Sequence, residues 1–319
     1  MTPITVSIVS FNTCELLRAC LTSLEARRDE AAIEIFVVDN GSRDGSPQMV
    51  KNEFPAVKLL EVGRNLGYGR ANNLALERAS GDFFWILNSD TEIYAGTISK
   101  MLDFLARHPA CGAVATRLIM PDGQTQPSCA RDPNLLDYFW EQTYLSHTYL
   151  VKRFYGIYTY DAPFYLETRE IAQAAGASIF CRSGALNGIG GFDPRYFMYF
   201  EDTDLCLRLR GAGWKLFYLH DAPVAHHVGA SSESDWRTRA AMVSALNASR
   251  YLYFKAHHGA LKAEVLRWIC VLGAVLHMGA WLFQMARTRD LKKWSKVRLF
   301  VRVLRNTLAI TPERARKGF

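Results

Sequence analysis

A chain of 319 residues, 49% hydrophobic and 22% charged, is long enough to bury a substantial core and too apolar to stay disordered. Its seven cysteines (14, 20, 111, 129, 181, 206 and 270) form no CxxC pair and no compact spacing, which argues against a zinc ribbon or a disulfide framework and fits a reducing cytoplasm. The net charge of +7 is uneven: residues 287–319 hold eleven Lys or Arg against Asp290 and Glu313, so the other 286 residues sum to −2 and the basicity belongs to the tail.

Met1-Thr2-Pro3 leads directly into a strand-like stretch, without the basic segment and apolar run of a secretory signal. Residues 4–10 are rich in β-branched side chains and read as a strand; Leu16, Leu17, Cys20, Leu21 and Leu24 then follow at helical spacing. A second buried strand, 33–38, ends at Asp39-Asn40-Gly41-Ser42, and a short helix is expected over 46–54. The pattern continues with a strand at 57–62, a helix at 67–79 and a strand at 83–87 ending at Asn88-Ser89-Asp90, then a helix at 95–107 and a strand at 111–118. Alternation of this kind predicts an α/β fold with a parallel sheet. Ligands bind outside the carboxyl ends of such strands, so Asn12, Asp39 and Asp90 are expected in one crevice. Residues 121–170 read as an irregular, aromatic-rich insertion.

Four polar clusters stand out. Asp39 to Asp44 can accept the base N–H and ribose hydroxyls of a nucleotide, or serve only as a polar turn with Ser46 capping the next helix. Asn88 and Asp90, at i and i+2 of an extended end, point the same way and can share a divalent cation with a diphosphate; a plain turn is the alternative. Glu201-Asp202-Thr203-Asp204 opens a helix and can cap it. The aromatic run Tyr196 to Phe200 before it supplies a drier setting that would raise a carboxylate's basicity. His226-His227 gains interest as a ligand only if the fold sets it beside Asp90.

In this order the pieces resemble the family 2 glycosyltransferases of the GT-A fold, in the rhamnosyltransferase-like branch. The carrying residues are Val6 to Asn12 with Ser10; Val37 to Ser42; Asn65-Leu66-Gly67-Tyr68-Gly69 with Ala71-Asn72; Leu87 to Asp90; Gly190-Gly191-Phe192-Asp193; Glu201 to Leu205 through Arg208; and His226 with Gly229 and Ser231. The likeness covers roughly residues 3–235 and implies a Rossmann-like, mostly parallel sheet flanked by helices. It implies that Asp39 holds the nucleobase; that Ser10, Asn12, Asn65, Gly67, Asn72, Asn88 and Ser89 line the nucleotide-sugar pocket; and that Asp90 and His226 bind Mg2+ or Mn2+. Asp202 is then the general base, with Glu201 beside it. The implied reaction moves a sugar, L-rhamnose from dTDP-rhamnose as the first choice, from a nucleotide diphosphate donor to a polyprenyl-diphosphate-linked or glycan acceptor, inverting the anomeric carbon. Many members of the family have Asp where this chain has Asn88, which removes one negative charge and should weaken metal affinity before the donor arrives.

The resemblance places the catalytic domain at 1–235 and leaves 236–319 as a helical, apolar and then basic region. Trp268 to Ala286 is 19 residues without formal charge, long enough to be a candidate span. A single crossing would separate the basic tail from a catalytic part that needs cytoplasmic nucleotide sugar. A monotopic arrangement on the inner membrane surface avoids that: an in-plane or re-entrant helical hairpin, with 292–305 on the headgroups. There Val297, Phe300, Val301, Leu304 and Leu308 repeat at helical spacing. A soluble hairpin packed on the domain, or on a second copy in a homodimer, is the alternative. Nucleic acid fits the tail less well, because no binding module accompanies the charge. A nucleotidyltransferase would need a basic Gly-rich loop that Phe11-Asn12-Thr13-Cys14 does not provide, and a sugar-nucleotide binder without transferase activity would be favoured by an Asp202 remote from Asp90.

Overall fold

The computed structural model describes residues 3–143, 145, 160–227 and 235–311. The chain divides into two compact units, one comprising Met1–Asp132, Thr159–Asp193 and Asp202–Gly229, the other Pro133–Tyr158, Pro194–Glu201 and Ala230–Phe319.

The strands of the first unit are β1 (Pro3–Ser10), β2 (Ala32–Asp39), β3 (Lys58–Glu61), β4 (Phe83–Asn88), β5 (Thr91–Ile93) and β6 (Cys111–Ile119), then β7 (Cys129–Ala130), β8 (Arg169–Glu170), β9 (Gln173–Ala174), β10 (Ser178–Arg182) and β11 (Lys215–His226). Nine form one sheet in the order β3-β2-β1-β4-β10-β6-β11-β5, with β8 paired to β11; β7 and β9 pair separately. β3, β2, β1, β4, β6 and β11 run in one direction and β10, β5 and β8 against it, so the sheet is mixed and mostly parallel.

Both faces are covered, and strand periodicity sorts the side chains between them. On β2, Ile33, Ile35 and Val37 join one core and Phe36 and Val38 the other; on β4, Trp85 and Leu87 part from Phe84 and Ile86 in the same way. Helix Cys14–Glu25 buries Leu17, Cys20, Leu21 and Leu24 in the first core, and helix Tyr68–Leu76 gives Ala71 and Ala75 to the second. All seven cysteines are free.

The chain leaves β1 for β2 on one side and returns as β4 on the other, which makes the β1/β4 neighbourhood a topological switch point. Register aligns Ser10 with Asp39 and Val9 with Asn88, so these carboxyl ends share one edge of the sheet.

The second unit is helical: Leu135–Gln142, Trp236–His257, Ala260–Thr288 and Trp294–Leu308. Part of the stretch expected to be irregular is thus ordered. Asn134 and Asp137 form a capping box that starts helix Leu135–Gln142. Tyr144, Tyr149, Phe154, Tyr155 and Tyr158 lie outside the described residues. Arg250 bonds Glu141 at 3.0 Å with its guanidinium 4.5 Å from the Tyr138 ring. Ser249 donates to the Met198 carbonyl at 2.8 Å, and the Phe200 ring lies 5.4 Å from that of Tyr253, which anchors the aromatic segment before Glu201.

Residues 268–286 belong to one unbroken helix, Ala260–Thr288, which turns back through Arg289 (φ 53) to pair with Trp294–Leu308. The last helix does not present the single stripe its sequence predicts: Val297, Leu299 and Val303 are buried, while Val301 and Leu308 face outward. It packs on two neighbours rather than one. Asn247 bonds Thr307 and Asn306 bonds Ser244, each at 3.1 Å, to fix it on Trp236–His257, and Phe300 stacks on His277 of Ala260–Thr288.

Candidate active site

At the end of β2, one Asp39 oxygen accepts the N–H groups of Gly41 and Ser42, at 3.1 and 3.0 Å. The other oxygen, Oδ1, is buried without a hydrogen-bond partner. A buried carboxylate oxygen left unpaired is costly and fits a donor group supplied by a ligand. Gly41 adopts φ +88, and a Cβ there would meet the Arg64 backbone at 3.0 Å, so the turn requires glycine. The turn is further pinned by Asn12, itself left-handed at φ 55: its N–H donates to Ser42 and its side-chain oxygen accepts the Arg43 N–H. Ser46 does not cap the helix as the plain-turn alternative has it; Gly45 stands at the cap position, and Asp44 accepts the Ser46 N–H and hydroxyl. Burial opposes ionisation of Asp44, but these bonds and the Cys14 N–H hold its carboxyl below the usual range.

Ser10 and Ser89 are joined through Thr13, by contacts of 3.1 and 2.9 Å, which ties the ends of β1 and β4 together. Asn65 accepts the Gly67 N–H and so shapes the turn into helix Tyr68–Leu76. Asn72 is fully buried, accepting from Ser7 at 2.7 Å and donating to the Tyr68 carbonyl at 3.1 Å; its part is to hold the helix to β1.

Antiparallel pairing of β11 with β5 sets His226 opposite Thr91 and therefore next to Asp90. His226 Nε2 stands 3.2 Å from Asp90 Oδ1, while His227 turns to Glu92 at 2.7 Å. Gln126 Oε1 lies 2.7 Å from His226 Nδ1. If Nδ1 donates to it, the Nε2 lone pair of a neutral ring faces the carboxylate, an arrangement that calls for a proton or a cation between them. Among the described residues no group of three His, Cys, Asp or Glu forms a metal cluster. Two protein ligands are nevertheless compatible with Mg2+ or Mn2+, which fill their shells from water and phosphate. Gly229 and Ser231 lie outside the described residues.

Asp202 reaches the same edge by a short relay. The Asn88 N–H donates to the Ala177 carbonyl, and the adjoining Gly176 N–H donates to Asp202 Oδ2, each at 2.9 Å. Burial pushes the Asp202 carboxyl above the ordinary aspartate range, although the N–H groups of Gly176 and Thr203 pull the other way. Glu201, counted with the second unit, is buried and follows two residues held at positive φ, Tyr199 (67) and Phe200 (66). Backbone strain of this kind in large aromatic residues persists only where surrounding packing enforces it. Burial and the charge of Glu201 both push the Tyr199 phenol up.

Residues 5–173 match the family described as glycosyl transferase family 2. The chain belongs to that family. An N-acetylglucosaminyl-diphospho-decaprenol L-rhamnosyltransferase of Mycobacterium tuberculosis is 31% identical over 258 residues, 75% of this chain and 80% of that protein. Among solved structures, a mannosyltransferase from Pyrobaculum calidifontis in complex with GDP-Man and Mn2+ superposes with a TM-score of 0.53 at 17% identity, covering 96% of this chain and 86% of that one. Residues 1–349 of TarS from S. aureus, in complex with UDP-GlcNAc, give 0.50 at 17% identity, covering 99% and 83%. The fold is GT-A-like and the glycosyltransferase is rhamnosyltransferase-like in sequence.

Several supports of this glycosyltransferase's site carry no motif. Gln126 meets His226 from 100 positions away. Gly176 positions Asp202 through its N–H and accepts the Tyr68 hydroxyl at 2.8 Å through its carbonyl. Asn73, rather than its neighbour Asn72, anchors the Gly-Gly-Phe-Asp segment, bonding the Phe192 N–H at 2.9 Å and carbonyl at 2.8 Å. Replacing Asn73 by Ala should therefore destabilise the fold by about 2 kcal/mol, read as a lower urea midpoint with unchanged slope. An unchanged midpoint would show that the two bonds contribute nothing net.

Proposed function

We propose that this family 2 glycosyltransferase transfers a sugar, with inversion, from a nucleotide diphosphate donor to a polyprenyl-diphosphate-linked acceptor at the inner face of a membrane, residues 1–235 carrying the chemistry and 236–319 the attachment. L-Rhamnose from dTDP-rhamnose is the favoured donor, supported by the sequence likeness to the mycobacterial rhamnosyltransferase. The observation that carries the reading is the relay from Asn88 through Ala177 and Gly176 to Asp202, which brings a carboxylate of raised basicity to the strand edge that also holds Asp39.

The unpaired oxygen of Asp39 accepts a base N–H, and the turn it caps receives the ribose. Ser10, Asn12, Asn65, Gly67 and Asn72 shape the walls, with Asn88 and Ser89 nearest the diphosphate and sugar. Asp90 and His226 hold Mg2+ or Mn2+, which when bound neutralises charge on the departing nucleotide diphosphate. Asp202 takes the proton from the acceptor hydroxyl as its oxygen attacks the anomeric carbon from the face opposite the leaving group, while Glu201 orients the acceptor loop. No covalent nucleophile is needed. Asp39→Asn should weaken dTDP binding by about tenfold or more, the range for a hydrogen bond to a charged group, in calorimetric titration. Equal affinity in both proteins would remove Asp39 from the base site.

Attachment is supported by helix Ala260–Thr288, long and apolar enough to cross a membrane yet with only 17% of its most apolar window buried, unlike the core helix of a soluble domain. Leu261, Trp268 and Phe283 are 79%, 58% and 69% exposed. Exchange of Trp268 and Phe283 for Ser should shift the protein from vesicle pellet to supernatant without loss of donor hydrolysis. Retention in the pellet by both proteins would contradict insertion of this face.

A further inference from the structure

Within the second unit, one face of helix Trp294–Leu308, together with Trp236 at the start of helix Trp236–His257, lines an open pocket of about 480 Å³. Trp236, Trp294, Val297 and Val301 form its apolar wall. Arg298, Arg302 and Arg305 line the remainder, and among the described residues no carboxylate does. Trp294, Arg298, Val301, Arg302 and Arg305 fall at i, i+4, i+7, i+8 and i+11, one face of one helix. No ion pair is found for the three arginines among the described residues, and Arg302 Nε is buried without a hydrogen-bond partner. The Arg298 guanidinium lies 5.9 Å from the centre of the Trp294 ring.

We propose that this pocket binds one anionic glycerophospholipid of the bilayer, its phosphate on Arg298, Arg302 and Arg305 and its glycerol and upper acyl segment against Trp236, Trp294 and the two valines. Three arginines on one helix face, in a pocket that no carboxylate lines among the described residues, are complementary to phosphate, and guanidinium forks match phosphate oxygens in pairs. An apolar wall would add nothing to the binding of inorganic phosphate, but it does suit a lipid whose charge and hydrocarbon meet at one end. Tryptophan favours that interfacial depth. The volume lies within the range of small-molecule sites, about 300–1,000 Å³. This site rests on the proposed membrane attachment and goes beyond it, because a diffuse basic tail needs no particular lipid and a pocket does.

The test titrates the full chain with monodispersed short-chain phosphatidylglycerol, followed by tryptophan fluorescence. The expected result is saturation at one lipid per chain, with phosphatidylcholine of the same chain length at least about tenfold weaker and inorganic phosphate unable to compete. Arg302→Gln should weaken binding at least about tenfold, and Arg305→Gln, at an exposed position, gives a second variant should the first fold poorly. Exchange of Arg287, Arg289 and Lys293, outside the pocket, for Gln should leave the titration unchanged. Equal binding of the two lipids, displacement by phosphate, or equal losses in pocket and control variants would overturn the proposal. If the protein sediments with vesicles while the titration fails to saturate, the pocket assignment falls and membrane attachment stands; absence from both vesicles and titration would end both.

Discussion

Asp202→Asn is expected to lower kcat by about 10²–10⁴-fold with donor affinity nearly unchanged, because the substitution keeps the shape and removes the proton acceptor. The Gly176 N–H bonds Oδ2 and the Thr203 N–H bonds Oδ1, so the amide oxygen of Asn keeps one of the two bonds while its NH2 faces the other donor; Asp202→Ala beside it separates that local cost from loss of the base. A base works deprotonated, so activity falls as pH drops through its pKa. Since burial raises Asp202, the acid limb of the wild-type kcat profile should lie above the ordinary aspartate range and disappear in the Asn variant. Glu201→Gln should cost less if that side chain only orients the acceptor loop. Equal and mild losses in both variants would show that neither carboxylate is the base.

Asp90→Ala is the second large effect expected, a fall of about 10²–10³-fold in kcat, the scale for removing one electrostatic contact to developing charge. Thermal stability should hold, since the Asp90 backbone carbonyl, and not its side chain, fixes the His227 N–H at 2.8 Å. Chelator should reproduce the loss in the wild type, and His226→Ala should demand a higher Mg2+ or Mn2+ concentration for half-maximal rate. Full activity in excess chelator would contradict the assignment of both residues.

Strands β2 and β4 were legible in sequence because they are buried on both faces, and a mostly apolar run that stops at a polar cluster marks both strand and carboxyl end; β1 was legible from its β-branched residues, although Thr5 and Ser7 are buried among them. The shared sheet edge followed from that alone, with Asp39 and Asn88 each aligned to the end of β1 by register. The choice between His226 and His227 was not legible. It depends on which side chain the β11/β5 ladder turns toward Asp90, a pairing of segments more than 130 residues apart. Gln126 and Gly176 escaped notice for the same reason: each acts through one long-range hydrogen bond that leaves no periodicity. Asn72 and Asn73 are adjacent and chemically identical, yet one faces β1 and the other Phe192, a difference set by helix rotation. At the last helix, periodicity predicted helical structure correctly but assumed one apolar face, where contact with two helices buries Leu299 and Val303 and leaves Val301 in solvent.

The most direct measurement incubates the purified full-length chain and Mg2+ with dTDP-L-rhamnose and an N-acetylglucosaminyl-diphospho-polyprenol in vesicles, and determines the anomeric configuration of the product by NMR. The account predicts rhamnose on the lipid-linked acceptor with configuration opposite to that of the donor, and none from Asp202→Asn at the same enzyme concentration. Product of retained configuration, or undiminished transfer by the Asn variant, would contradict it.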